Sequence, residues 1–290
     1  MSGSGDDPPR GPEGLVLVDK PAGITSHDAV AVVRRVLGTK KVGHAGTLDP
    51  MATGLLVMGV GRATRFLRFL NDLPKTYEAT MRLGVETTTL DADGEVIRTT
   101  AVEVPDDAIA RAVAGLVGDS LQRPPAFSAV KVGGRKLVDA ARRGDTIEAM
   151  PRPIHVERFE VVARRGDDVE LSVTCGGGTY VRVLAADVGR ALGAGAHLTA
   201  LRRTRIGSFA VSDATPPEGI TSPQPIARAV AHLPALRLDE EEATAAGHGR
   251  ALAPSAFDGP HAVFGPDGGL IGVYHDDGPR SKPLVILQRE

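Results

Sequence analysis

The chain has 290 residues, 42% hydrophobic and 24% charged, a balance that fits a globular protein with one large domain and a small one and excludes a fibrous or wholly disordered chain. Its lone cysteine, Cys175, can build neither a disulfide framework nor a cysteine zinc site, so a reducing, cytoplasmic location is expected. The net charge of −2 conceals a split: residues 14–235 carry 28 bases against 24 acids, while residues 236–290 carry five against nine.

Residues 1–13 are glycine, proline and acid without an apolar core, which predicts a disordered leader rather than a signal peptide or membrane span. Gly14 to Lys20 reads as a buried strand ended by the turn Pro21-Ala22-Gly23. Thr25 with Asp28 resembles a capping box, and Val30, Val33 and Leu37 then share a helix face up to Gly38. Leu55 to Val60 is apolar enough for a central strand, and a basic helix follows around Thr64 to Leu70. In Lys75 to Leu83, Tyr77, Ala79, Met81 and Leu83 alternate, as in a strand with one covered face, and Asp93-Gly94 marks a hairpin turn.

Further along, Asp106 to Val117 reads as helix, and Phe127 to Val132 as a strand turned by Gly133-Gly134 into a helix. Ile154 to Ala163 and Val169 to Cys175 read as strands joined near Gly166-Asp167. Strands with occasional helices and no regular βαβ alternation predict an α+β sheet. Pro216 to Pro225 holds four prolines and reads within a connector, residues 216–235. Residues 236–290 form a small β-rich module: a helix opened by Asp239 to Glu242, then strands near 261–264, 270–274 and 283–287.

The densest chemistry lies in Gly43-His44-Ala45-Gly46-Thr47-Leu48-Asp49-Pro50-Met51-Ala52-Thr53-Gly54-Leu55, a carboxylate on a glycine-flanked turn entering an apolar strand. Asp-Pro is also a common turn former, so an Asp49 that merely caps its own backbone is the plain alternative. Tyrosine is scarce: Tyr77 stands in Lys75-Thr76-Tyr77-Glu78-Ala79, and Tyr180 in Gly176-Gly177-Gly178-Thr179-Tyr180-Val181-Arg182. In an extended segment Tyr180 and Arg182 point the same way, and the glycines let backbone amides approach a phosphate. Lys40-Lys41, Arg62/Arg65/Arg68 and Arg202-Arg203/Arg205 are candidate phosphate-binding clusters, set against the plain reading of solvated faces.

HAGTLDPMATGLL, KTYEA, GGGTYVR and Leu201-Arg202-Arg203-Thr204, with the opening LVLVDKPAGITSHDAV, resemble the TruB family, the tRNA pseudouridine-55 synthases, over about residues 14–210. The resemblance implies a pseudouridine synthase fold over 14–215, a mostly antiparallel mixed sheet with flanking helices and a central cleft, and makes the 236–290 module PUA-like. It implies isomerisation of a T-loop uridine in tRNA, without metal or organic cofactor; the sequence itself has no heptad pattern or self-pairing segment, which predicts a monomer that needs no membrane and no obligate protein partner. Asp49 matches the family's catalytic aspartate, Arg182 its paired basic residue, and Tyr77 its active-site tyrosine. His44 matches a histidine associated with the flipped-out nucleotide, Tyr180 and Leu201 match residues lining the uracil pocket, and Lys20 matches a lysine of the opening signature. Attack on ring or sugar, and shielding of positive charge on the sugar, remain open as roles for the carboxylate. Phe127, Leu137, Thr88 and Val183 depart from the family pattern and bear on fine substrate contacts. Two other classes compete: a catalytically silent RNA-binding protein on the same scaffold, and an aspartyl phosphotransferase prompted by GTLDP.

Overall fold

The computed structural model describes residues 11–145 and 147–287, so most of the expected leader, residues 1–10, lies outside the described residues. Strand β1 (Gly14–Lys20) leads into helix α1 (Ser26–Val36), whose N-cap Thr25 and Asp28 complete the predicted capping box. Strands β2 (Val42–His44) and β3 (Thr53–Val60) flank the Asp49 turn, and a 3₁₀ helix occupies Gly61–Leu70. Next come β4 (Lys75–Leu83), the hairpin β5 (Val85–Thr87) and β6 (Val96–Thr99), helix α2 (Asp106–Ala114) and β7 (Gly118–Gln122). A small hairpin, β8 (Lys131–Val132) and β9 (Arg135–Lys136), enters helix α3 (Leu137–Ala141). The long hairpin β10 (Arg152–Arg165) and β11 (Asp168–Cys175) is followed by helix α4 (Val181–Ala191), β12 (Ala196–Ile206) and β13 (Phe209–Ala210). The C-terminal module contains β14 (Ala235–Arg237), α5 (Glu240–Gly247), β15 (Pro260–Phe264), β16 (Leu270–Asp277) and β17 (Arg280–Ile286).

The main sheet has the order β1-β3-β12-β4-β11-β10-β7, with β2 beside β3 and β13 beside β12; the C-terminal sheet runs β14-β15-β16-β17. In the main sheet the pairing is antiparallel except between β3 and β12. Covering explains the sequence patterns. On β1 and β3, Val16, Val18, Leu56 and Met58 pack with Val30, Val33, Leu184 and Val188 of the helices. Leu15, Leu17, Leu55 and Val57 turn the other way, onto Phe66 and Leu70 of the 3₁₀ helix and Val273 of the C-terminal module. Strands covered on both faces must be apolar throughout, whereas β4 is buried on one face only and alternates.

Three sequence expectations need correction. Only Lys131–Val132 of the expected 127–132 strand is strand, because the Ser128 and Val130 carbonyls turn back to accept the amides of Val138 and Leu137 in α3. The expected helix 106–117 ends at Ala114, where Gly115 caps it. Arg182 lies in the first turn of α4 and not in an extended segment, since Val181, Leu184, Ala185 and Val188 place an apolar stripe of helical period on the sheet.

The parallel contact of β3 with β12 requires Gly54, with φ of +101°: a Cβ there would stand 2.3 Å from the carbonyl oxygen of Arg203. Gly54→Ala is therefore expected to cost about 2–4 kcal/mol and to lower the thermal unfolding midpoint by about 5–10 °C, read by circular dichroism. An unchanged midpoint would show that the two strands can separate freely.

Candidate active site

The Asp49 turn is held by its backbone. Ser26, at the start of α1, accepts the Leu48 amide with its hydroxyl at 2.9 Å and donates to the Leu48 carbonyl at 3.1 Å. The fully buried Lys20 donates from Nζ to the carbonyls of Pro21 and Ile24, each at 2.8 Å, and of Pro50 at 3.3 Å. From β12, buried Arg203 donates to the carbonyl of Leu55 at 2.8 Å and to that of Gly46 at 3.1 Å. Gly46, with φ of +90°, lets the turn fold over that guanidinium. Burial lowers the Lys20 ammonium to about 8, although the nearby Asp49 carboxylate raises it.

With its backbone fixed, Asp49 presents Oδ2 to Arg182 Nη1 at 2.9 Å. The same nitrogen reaches Asp91 Oδ2 at 3.1 Å, and Nη2 donates to the Phe127 carbonyl at 2.5 Å. Arg182 and Asp91 are buried, whereas the Asp49 side chain keeps 31% of its surface exposed. Asp91 is itself oriented: its Oδ1 accepts from the Thr89 hydroxyl at 2.5 Å and from the Asp93 amide at 3.2 Å, in a turn where Leu90 has φ of +66°. Burial pushes the Asp49 carboxyl above its ordinary value; Arg182 pulls it down, while Asp91 and Asp93 push it further up. Asp49 Oδ1 has no hydrogen-bond partner among the described residues, so one oxygen is left for a substrate.

A cavity of about 630 Å³ opens over this pair, lined among others by Asp49, Tyr77, Tyr180, Arg182 and Leu201. These five predicted residues come together from the turn after β2, from β4, from the N-cap of α4, from its first turn, and from β12. The Arg182 guanidinium also stands 5.8 Å from the centre of the Tyr180 ring, so the helical start still joins the two side chains. Burial raises the Tyr77 phenol above its ordinary value, against the lowering effect of Arg203 beside it.

Two predicted residues stand off the cavity wall. Lys20 lies under the turn with its amine on carbonyls and is not among the residues that line the cavity. His44 lies behind His27, their rings edge to face at 5.8 Å, and it is His27 that lines the cavity. Nδ1 of His44 is buried without a partner, and burial pushes its imidazole below the usual value.

The sequence reading missed Asp91, Lys75 and the positioning role of Arg203. Three threonines and two aspartates between Thr87 and Asp93 make a turn far too polar for an ordinary hairpin tip, which was the available signal. Lys75 also lines the cavity; burial lowers its amine to about 8, and it donates to the Asn71 and Leu73 carbonyls. The expected basic clusters disperse. Arg202 pairs with Asp19, Arg203 is buried, and a register shift between Arg203 and Arg205 leaves Arg205 outside. Arg62 pairs with Glu13, Arg65 donates to the Ile286 carbonyl, and Arg68 lies over Phe69, whereas Lys40 and Lys41 stay exposed. Among the described residues no group of three or more His, Cys, Asp or Glu side chains is placed to hold a metal ion.

Three family descriptions match in chain order: "TruB family pseudouridylate synthase (N terminal domain)" over residues 34–181, "tRNA pseudouridylate synthase B C-terminal domain" over 182–222, and "tRNA Pseudouridine synthase II, C terminal" over 233–288. A protein named tRNA pseudouridine synthase B from Mycobacterium sp. (strain KMS) is 48% identical over 285 residues, covering 95% of this chain and 96% of its own. Its namesake from Thermobifida fusca (strain YX) is 47% identical, covering 95% of this chain and 98% of its own. Among solved structures, an H/ACA RNP bound to a substrate RNA containing 2'-deoxyuridine has a chain with TM-score 0.73 and 26% identity, covering 95% of this chain and 85% of that one. A chain of a Cbf5-Nop10-Gar1 complex matches with TM-score 0.73 and 27% identity, over 94% and 84%. The α+β sheet is thus the pseudouridine synthase fold, and the chain belongs to the TruB family of pseudouridylate synthases.

Proposed function

We propose that this protein isomerises the T-loop uridine at position 55 of tRNA to pseudouridine, with Asp49 as its essential carboxylate. The coarser activity, conversion of a tRNA uridine to pseudouridine by an isomerase, comes with the family. One observation carries the role of Asp49: it is the carboxylate in the cavity whose one oxygen is held by a buried guanidinium while the other is left unbonded. In this reading residues 14–215 form the catalytic unit, 216–235 the connector and 236–290 a module whose acidity makes it a poor principal grip on RNA. The monomer engages the T stem-loop without a second protein and works in the cytoplasm. Among the described residues no helix is long and apolar enough to cross a membrane.

The reaction breaks an N-glycosidic bond, turns the uracil while it is trapped, and rejoins it through C5. Extruding the base costs roughly a few kcal/mol, and stacking on Tyr77 returns about 1–3 kcal/mol, with Leu201 as the apolar wall. His44, behind the cavity rim, is proposed to meet the flipped-out nucleotide's surroundings. Near ribose C1′ an ionised Asp49 acts as nucleophile or as counter-charge to a developing cation. Arg182 keeps the carboxylate ionised against burial, and Asp91 fixes the guanidinium. The site therefore sets a negative charge before substrate arrives, so little reorganisation is needed at the reacting step.

Asp49→Asn removes the charge at almost constant volume. It is expected to lower tritium release from 5-tritiated uridine in a tRNA transcript by about 1,000-fold or more while leaving tRNA binding within about threefold. Substantial turnover by this variant would remove Asp49 from the chemistry. The pH profile gives a second test. Because the ionised form is active, turnover falls on the acid side as Asp49 takes up a proton. Arg182→Gln deletes the charge that lowers the Asp49 carboxyl, so the acid limb of kcat is expected to move to higher pH; Asp91→Asn deletes a charge that raises it and is expected to move that limb lower. Movement of both limbs in the same direction would show that the shift does not arise from these charges. Arg182→Gln also leaves two carboxylates facing each other, so unfolding is measured alongside.

A further inference from the structure

Among the described residues four lysine and arginine side chains line the active cavity: Lys75, Arg142, Arg182 and Arg203. Three of them are already engaged or open to water. Arg182 is held between the Asp49 and Asp91 carboxylates, Arg203 donates to the Gly46 and Leu55 carbonyls, and Arg142 is exposed. Lys75 differs. It is buried, its Nζ donates to the carbonyls of Asn71 at 2.6 Å and Leu73 at 2.7 Å, and among the described residues it has no ion-pair partner, so one N–H of the ammonium is unused. Strand alternation sets where it projects: Lys75, Tyr77 and Ala79 share one face of β4, and Ile206, Arg203 and Leu201 stand opposite them on β12. Lys75 therefore rises from the same floor as Tyr77 and Leu201, the two side chains proposed to hold the uracil. Two glycines keep its surroundings clear. A Cβ on Gly46, in the Asp49 turn, would stand 3.9 Å from Lys75 Cε, and one on Gly177, in the segment before Tyr180, would stand 3.4 Å from Nζ. The amine thus lies between the turn that carries Asp49 and the segment that carries Tyr180.

We propose that Lys75 is a catalytic residue whose ammonium is the counter-charge to the uracil anion that leaves ribose C1′. The proposal rests on the reading that sets Asp49 at that carbon. When the C1′–N1 bond breaks, its electron pair goes to N1, and the base becomes an anion whose charge is shared by N1, O2 and O4. The walls of a cavity closed to water must answer that charge themselves. Asp49 is negative and answers only the sugar, so the leaving base needs a cation with a free N–H. C5 then bonds to C1′, C5 gives its proton to solvent and N1 takes one up, which leaves the base neutral while Lys75 keeps its own protons throughout. Burial and the neighbouring Arg203 lower the Lys75 amine to about 8, which still leaves it charged at neutral pH, and an anion forming beside it strengthens the charged form. The attraction appears as the bond breaks, so it lowers the barrier and not the energy of the bound substrate.

The test compares two T stem-loop RNAs, one with uridine and one with 5-fluorouridine at the target, with protein in excess and loss of the original nucleoside read by chromatography of the digested RNA. Fluorine withdraws electrons, so the second base leaves as a more stable anion and needs less help. Lys75→Gln removes the charge but keeps a donor for the carbonyls. It is expected to slow the uridine RNA by about 100-fold or more and the 5-fluorouridine RNA by about 10-fold or less, with RNA binding within about threefold of the unaltered protein. Equal slowing of both RNAs would overturn the proposal and make Lys75 a structural tie alone, and so would a uridine rate within about threefold of the unaltered protein. Both rates are read in one protein, so a misfolded fraction lowers them together and does not mimic the expected difference. If Lys75→Gln does not fold, Lys75→Met carries the same comparison. Absence of pseudouridine from the uridine RNA with the unaltered protein would instead overturn the pseudouridine reading, and undiminished turnover by Asp49→Asn would overturn the placing of Asp49, so these failures are distinguishable.

Discussion

Everything at the active cavity depends on two buried cations lying beneath one turn. Lys20 and Arg203 come from β1 and β12; Arg203 donates to carbonyls on either side of Asp49, at Gly46 and Leu55, and Lys20 ties Pro50 to the carbonyls of Pro21 and Ile24 in the loop before α1. A buried cation without a carboxylate partner is costly, and charge-assisted hydrogen bonds worth about 1.5–3 kcal/mol each offset that cost only while the carbonyls stay in place. The turn and its cations therefore stabilise one geometry jointly, and a displaced turn would cost Arg203 its Gly46 acceptor and Lys20 its Pro50 acceptor. This is how a loop residue acquires the positional precision of a core residue.

The arrangement also separates two jobs that a single positive charge would perform badly together. Lys20 and Arg203 position the main chain around Asp49, so the contact of Arg182 with that residue is to the side chain. Arg182 in turn is not free to wander, because Asp91 and the Phe127 carbonyl hold its other edges. The site thus joins one guanidinium to two carboxylates and a carbonyl, drawn from four different parts of the chain.

Much of this was readable from the residues. The bounds of β1 and β4 follow directly from an apolar run and a clean alternation, because local covering dictates each pattern. The capping box of α1 and the three later strands of the C-terminal module were likewise legible in their turn and cap residues. The stretch before α4 was harder: three glycines and a tyrosine gave no helical period until Val181, so Arg182 read as extended. The basic clusters misled for a different reason. Arginines adjacent in sequence alternate between faces of a strand, and whether each meets solvent, a carboxylate or a carbonyl is decided by neighbours far along the chain. Asp91 was missed because its partner lies 91 residues away, and no local pattern encodes that pairing.

The bond from Arg182 to the Phe127 carbonyl joins the acidity of the reacting carboxylate to the position of a wall segment. Residues 127–129 line the active cavity. Any occupant that displaces this segment takes an acceptor from Arg182 and leaves the guanidinium more fully committed to its two carboxylates. By thermodynamic reciprocity, whatever favours the ionised carboxylate also favours the displaced wall. One guanidinium thus ties the charge of the carboxylate to the placing of the wall beside it, so neither can change without the other.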